Sequence, residues 1–102
     1  MDTTTSRRKK PAEASIPSLP QSAINRGKVI AARYQIKLWR QDGEWYGEGI
    51  EEPGAMGDGR TIAQCVRNVR YALALAVASH IVYHEPITTP LVDQERRRRK
   101  AG

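Results

Sequence analysis

Four carboxylates in the middle of this 102-residue chain are the side chains best suited to chemistry. They are Glu48, Glu51, Glu52 and Asp58. Carboxylates that converge on a divalent metal can activate water for hydrolysis, but the first predicted strand (residues 32–40) contributes none. Because charged side chains usually stay exposed, a solvated acidic rim is the simpler interpretation. We therefore predict neither catalytic residues nor an enzyme, although an acidic rim could also attract a basic partner protein.

Two histidines and a single cysteine are the other reactive side chains. His80 and His84 are four residues apart on a predicted helix, a spacing at which two imidazoles can share a metal, but no third ligand is suitably placed. We predict that they interact with the last carbonyls of the helix, and that the chain binds no metal or cofactor. Cys65 lies between core positions without a nearby base, which predicts a small buried hydrophobe. One cysteine also excludes an internal disulfide, as expected for a cytoplasmic protein.

Alternation and turn chemistry predict a β-hairpin. Apolar and polar residues alternate over residues 32–40, which is typical of a half-buried strand. Asp42-Gly43 follows and suits the two positive-φ positions of a type I′ turn, so a second strand is predicted at residues 44–50. Residues 55–58 could form a short third strand.

The same alternation predicts which aromatic side chains are exposed. The set expected to face a helix is Tyr34, Ile36, Leu38 and Trp45. Trp39 and Tyr46 then lie on the outer face of the hairpin. Exposed aromatics are enriched at interfaces, but Lys37 or the N-terminal segment could equally well cover these two side chains. The predicted partner-facing surface consists of Trp39, Tyr46, Glu48, Glu51 and Glu52.

A long helix is predicted to begin after Thr61, which forms a capping box with Gln64, and to end at Glu85-Pro86. The stripe expected to cover the sheet is Ile62, Val66, Val69, Leu73, Ala76 and His80. From Tyr71 onward the helix is apolar nearly all round, which is more than a three-stranded sheet can bury. We therefore predict a homodimer through the outer helix face, which consists of Tyr71, Leu75, Ala78 and Val82.

The net charge of +6 is concentrated at the two ends of the chain. Residues 1–28 carry six basic and two acidic side chains, residues 91–102 carry five and two, and residues 29–90 carry six and seven. Because the ends have few large apolar residues, we predict a disordered basic segment (1–28), a folded domain (29–92) and a basic tail (93–102).

Three interpretations of the basic ends stay open. Arg7–Lys10 and the tail could contact nucleic-acid phosphates, could only solubilise the chain, or could be attracted to a membrane surface. The tail residues concerned are Arg96, Arg97, Arg98, Arg99 and Lys100. The apolar run from Tyr71 to Tyr83 is shorter than the roughly 20 residues of a membrane-spanning helix, so no membrane partner is predicted.

A family resemblance extends from about Arg33 to Pro90. It is carried by the order and spacing of Tyr34-x-Ile36-x-Leu38, Asp42-Gly43, Trp45-Tyr46, Glu52-Pro53-Gly54, Gly59-x-Thr61, Asn68, and Glu85-Pro86-Ile87-x-x-Pro90. This series resembles the HicB-like antitoxin domain. The resemblance implies an α+β protein with a partial ribonuclease-H-like fold, in which a three-stranded antiparallel sheet packs on one long helix, with a possible short fourth strand.

The resemblance also implies a function. HicB-like proteins typically act as antitoxins of type II toxin–antitoxin systems and neutralise a small HicA-type mRNA interferase by direct binding. The alternative is a stand-alone HicB-like module that binds nucleic acid or protein and contacts its partner through the basic ends.

Overall fold

The computed structural model describes residues 18–101, with side chains up to Arg99. The elements in chain order are helix α1 (Gln21–Ala31), strands β1 (Ile36–Gln41), β2 (Glu44–Gly49) and β3 (Met56–Gly59), and helices α2 (Ile62–Val82) and α3 (Leu91–Ala101). The strands form one antiparallel sheet in the order β1-β2-β3. The predicted α+β class and three-stranded antiparallel sheet are therefore confirmed.

The hairpin between β1 and β2 follows from its turn residues. Asp42 and Gly43 have φ angles of 52° and 81°, the left-handed values that a type I′ turn requires. Gln41 pairs with Glu44 across this turn. The first strand begins at Ile36 rather than at residue 32, because the preceding residues still form the turn that leaves α1.

Helix α2 covers one face of the sheet. Gly47 and Gly49 point toward it: a Cβ atom added at Gly47 would lie 2.9 Å from Val69, and one at Gly49 would lie 2.6 Å from Leu73. The buried residues of the core are Ala31, Tyr34, Ala55, Cys65, Val69, Leu73 and Val77. The predicted stripe is therefore partly wrong, since Ile62 is 48% exposed. Gly59, the last residue of β3, lies against Gln64 and Cys65, so the helix meets this strand only after Ile62.

Helix α1 is the main departure from the sequence-based prediction. Residues 21–28 were expected to be disordered, yet they form most of α1, which packs on α2. Its buried residues are Ala23, Gly27 and Ala31. Small residues at every fourth position let two helix backbones approach closely, so α1 gains packing without large side chains. The basic run Arg7–Lys10 lies outside the described residues.

The packing of α1 also corrects the predicted dimer face on α2. Ala78 is fully buried, and a Cβ atom at Gly27 of α1 would lie 3.1 Å from the Ala78 amide nitrogen. Leu75 and Val82 are half-buried, and Tyr71 is 59% exposed. Ala78 is thus covered by the same chain, because its small side chain fits against Gly27 of α1.

Local hydrogen bonds fix both ends of α2. The Thr61 hydroxyl accepts from the Gln64 amide (3.1 Å), and the Gln64 side chain accepts from the Arg60 amide (2.8 Å), as in a capping box. At the other end His84 adopts a left-handed φ of 57°, and the Glu85 amide donates to the His80 carbonyl (2.8 Å). A Schellman motif therefore ends the helix before Pro86 is reached.

The C-terminal part of the described chain is helical. The predicted fourth strand is absent from residues 18–101, since Leu91 begins α3, and most of the predicted tail belongs to this helix. The Glu51 carboxylate accepts from the Leu91 amide, and Arg33 forms a bidentate ion pair with Asp93 in the first turn. Within residues 18–101, none of the helices is long and apolar enough to cross a membrane.

Candidate protein-binding surface

The face of the sheet opposite α2 carries a mixed aromatic and acidic surface, here called the outer sheet face. Because Gly47 and Gly49 point at α2, alternate residues of the strands point away from it. The outer sheet face consists of Lys37, Trp39, Tyr46, Glu48, Met56 and Asp58. Helix α2 packs on the opposite face and α1 packs on α2, so both helices lie on the far side of the sheet.

An aromatic pair lies at the middle of the outer sheet face. Trp39 and Tyr46 are directly opposite one another on β1 and β2, and their rings stack with centroids 6.2 Å apart and an interplanar angle of 21°. Such a pair contributes roughly 0.5–1.5 kcal/mol beyond the area it buries. Since both rings stand on paired strands, they are held in place before any partner arrives.

Lys37 lies next to this pair and partly covers it. Its ammonium nitrogen is 5.9 Å from the centroid of the Trp39 ring and 3.5 Å from a carboxylate oxygen of Glu48. The register explains this arrangement, because Lys37 and Glu48 are cross-strand partners. Trp39 therefore remains half-buried and accessible rather than fully covered.

Two residues of β3 extend this surface beyond the predicted set. Met56 pairs with Glu48, and Asp58 pairs with Tyr46. Met56 is 54% exposed, and a shallow groove of about 330 Å³ is lined by Tyr46, Met56, Gly57 and Asp58. The sequence suggested a short third strand but not its register, so neither side chain could be assigned to the aromatic pair.

The predicted acidic rim is divided by the fold. Glu48 and Asp58 lie on the outer sheet face, whereas Glu51 is only 8% exposed. The two Glu51 oxygens accept from the amides of Gln35 and Leu91, both at 2.8 Å. Glu51 is therefore not part of a partner-facing surface, because its carboxylate joins the start of β1 to the start of α3.

Glu52 is also engaged inside the chain, through a histidine. The Nε2 atom of His80 is 3.1 Å from a Glu52 oxygen, and its Nδ1 atom is 2.7 Å from a Glu85 oxygen. The hydrogen bond that the His80 ring donates to Glu85 is the main cause that raises the pKa of His80, and Glu52 adds to it against the opposing effect of burial. His80 thus contacts two carboxylates rather than helix carbonyls, which corrects the prediction.

The other sequence-predicted candidates were a metal site and Cys65. No three His, Cys, Asp or Glu side chains of residues 18–99 converge as a metal site requires. Cys65 is buried, its sulfur is 3.7 Å from the Gly57 carbonyl oxygen, and burial raises the pKa of the thiol, with a further contribution from Asp58. A raised pKa disfavours the nucleophilic thiolate.

The arginines of the predicted nucleic-acid tail lie on α3. Arg96, Arg97, Arg98 and Arg99 are all exposed, and the side chain of Lys100 lies outside the described residues. The outer sheet face and α3 are therefore distinct surfaces, one mainly aromatic and acidic and one basic. Comparison of the chain with protein-family models, curated proteins and solved structures gives no match.

Proposed function

We propose that this protein is the antitoxin of a type II toxin–antitoxin pair, and that its outer sheet face binds and blocks a basic, HicA-type mRNA interferase. The observation that carries this proposal is the stacked Trp39–Tyr46 pair on a sheet face that neither α1 nor α2 covers. The order of three strands followed by one long helix supports the resemblance to HicB-like domains. The protein acts by binding its partner and blocking the partner's active surface, and it catalyses no reaction itself.

The composition of the outer sheet face suits a cationic partner. Tryptophan and tyrosine are the residues that most often dominate binding energy, and their ring faces attract Arg and Lys side chains of a partner. Asp58 on β3 is the cross-strand partner of Tyr46, and Glu48 lies two residues from Tyr46 on β2. Both carboxylates add negative charge, which steers a basic protein toward this face. Met56 supplies an adaptable apolar contact beside them.

A co-expression experiment tests the proposal. The proposal requires a small basic protein encoded beside this chain, and that protein is the probe, expressed at a level that arrests growth. We expect the intact chain to restore growth and to bind the purified toxin. We expect Trp39→Ala to weaken binding about 30-fold or more, the effect of losing one central aromatic anchor. Glu48→Gln should mainly slow association and reduce its dependence on salt.

Tyr83→Ala is the matched control, because Tyr83 is an exposed aromatic at the end of α2, away from the sheet. It should leave toxin binding unchanged. Circular dichroism of each variant separates loss of binding from loss of folding. If no neighbouring toxin is neutralised, the proposed function is wrong. If neutralisation persists in Trp39→Ala at full affinity, the outer sheet face is not the binding surface.

A further inference from the structure

A second groove lies on the helical side of the molecule, between α1 and α2. It has a volume of about 330 Å³ and is lined by Lys28, Ala31, Ala32, Arg67, Arg70, Tyr71 and Ala74. Its lining thus contains small apolar side chains, three cations and one aromatic ring, and no carboxylate. Toxin binding by the outer sheet face makes no use of this groove.

Arg70 reduces the repulsion of anions at one end of the groove. Its guanidinium donates to the carbonyl oxygens of Ala31 and Tyr34, both at 2.7 Å. The C-terminal carbonyls of a helix carry partial negative charge, which repels anions. Because Arg70 pairs with the carbonyl of Ala31, the last residue of α1, its positive charge offsets this repulsion.

Two further cations of the groove are available to a ligand. Lys28 on α1 and Arg67 on α2 are exposed, and neither forms an ion pair with a carboxylate among the described side chains. Tyr71 follows Arg67 by one helical turn and presents its ring to solvent. A cationic groove with an aromatic platform is the arrangement that binds a single strand, through contacts to phosphates and stacking of a base.

The basic character continues from the groove toward α3. Ala31 and Ala32 line the groove, and the next residue, Arg33, is ion-paired with Asp93 in the first turn of α3. Arg33 is the main cause that lowers the pKa of Asp93, and Arg96 and Arg97 contribute, so their charges are close to the same carboxylate. A polyanion leaving the groove would therefore meet the arginines of α3.

We propose that the groove between α1 and α2 is a binding site for single-stranded nucleic acid. Tyr71 stacks on a base, Lys28 and Arg67 contact phosphates, and the backbone continues toward α3. A second copy of this chain fits the groove less well. In a two-fold symmetric dimer the same patch meets itself, which would bring Lys28 and Arg67 of one copy toward those of the other.

Binding of labelled oligonucleotides tests this site in the full chain. Fluorescein-labelled oligouridylate and oligothymidylate of about 12 nucleotides serve as RNA and DNA probes in fluorescence anisotropy. We expect Tyr71→Ala to weaken binding about tenfold, the typical loss of one stacked base, and Tyr71→Phe to keep most of the affinity. Tyr83→Ala, the matched aromatic control at the C-cap of the same helix, should bind like the unchanged protein.

The salt dependence measures the phosphate contacts separately. The slope of log K against log salt should become less steep by about 1.4 when Lys28 and Arg67 are both replaced by Gln, because each phosphate contact contributes about 0.7 for single strands. The exchange Arg40→Gln, on the hairpin, removes a cation outside the groove and should leave the slope unchanged. An unchanged slope in the Lys28/Arg67 double variant would contradict the assigned phosphate contacts.

Photocrosslinking locates the base directly. An oligonucleotide containing 4-thiouridine should crosslink to the α2 peptide that contains Tyr71. Crosslinks confined to residues 1–17 or to α3, with full affinity in Tyr71→Ala, would overturn the proposal. The proposal would also be overturned if Tyr71→Ala changed the protein from dimer to monomer in sedimentation without any loss of nucleic-acid binding. Neither result depends on the identity of a toxin, so this site and the proposed antitoxin function can fail independently.

Discussion

Replacing Gly27 by alanine distinguishes intrinsic helix propensity from the tertiary packing of α1. In an isolated or exposed helix, Gly→Ala stabilises by about 1 kcal/mol, because alanine loses less backbone entropy on folding. Gly27 is buried where α1 crosses α2. A Cβ atom there would overlap the carbonyl oxygen of Ala74 and lie 3.1 Å from the amide nitrogen of Ala78. These are backbone atoms, which cannot move aside as a flexible side chain can.

The expected magnitude follows from these two opposing terms. Overpacking a close contact costs typically 1–3 kcal/mol, and the helices must separate to admit the new methyl group. Separation also weakens the neighbouring contacts of Ala23 and Ala31, which are buried in the same crossing. After subtraction of the propensity gain of about 1 kcal/mol, we expect Gly27→Ala to lower the free energy of unfolding by up to about 2 kcal/mol.

Urea denaturation, followed by tryptophan fluorescence and far-UV circular dichroism, measures this change. Ser22→Ala is the control, because Ser22 is exposed on the same helix and should gain a few tenths of a kcal/mol, about 0.5 at most. A stabilisation of about 1 kcal/mol by Gly27→Ala would instead show that α1 does not pack closely on α2 at this position.

Two further perturbations probe the contacts that join the elements. Arg70→Met should lower the free energy of unfolding by about 1.5–3 kcal/mol, because the carbonyl of Ala31 at the end of α1 and that of Tyr34 before β1 both lose a charged donor. Exposed Arg67→Met should change the free energy of unfolding by less than about 0.5 kcal/mol, and equal effects of the two substitutions would contradict the role of these Arg70 hydrogen bonds. The pKa of His80 is raised in the folded state, so its contribution to stability is complete below the unfolded pKa of 6.5 and is lost as the pH rises through the folded pKa. In His80→Gln the unfolding midpoint should no longer fall as the pH rises through this range, whereas in His84→Asn it should fall as in the unchanged protein. If the midpoint still falls in His80→Gln, another group causes the loss of stability.

The two proposed binding surfaces lie on opposite sides of the molecule, so they need not compete. The sheet presents Trp39 and Tyr46 on one side, and the α1–α2 groove presents Tyr71 on the other. Because α2 lies between them, a protein partner on the sheet leaves the groove accessible. Variants of one surface should therefore leave the other binding activity intact.

Features determined by short-range interactions were predictable. The Asp42-Gly43 turn needs only two residues that tolerate positive φ, and the cap at Thr61 needs only a hydroxyl and a glutamine three residues later. Alternation along β1 then assigns Trp39 to the outer sheet face, because side chains of a strand alternate between its two faces.

Features that depend on distant partners were not predictable from local patterns. Helix α1 has few large apolar residues, and it is stabilised because Gly27 meets Ala74 and Ala78 of a helix much later in the chain. Small residues recur at every fourth position on both helices, which is a spacing that permits close packing. This spacing predicts a contact only when the two helices are known to cross. The same holds for Glu51, whose burial depends on amides on both sides of it in the sequence.

The sequence by itself thus determined the Asp42-Gly43 turn, the N-terminal cap of α2, the strand faces and the concentration of positive charge at the two ends. Only the tertiary structure decided which charges and apolar faces remain available to a partner. In the folded chain Glu51 is buried, Glu52 pairs with His80, and α1 covers Ala78. The physical reason is that turns and caps depend on interactions over a few residues, whereas exposure depends on the packing of the whole chain.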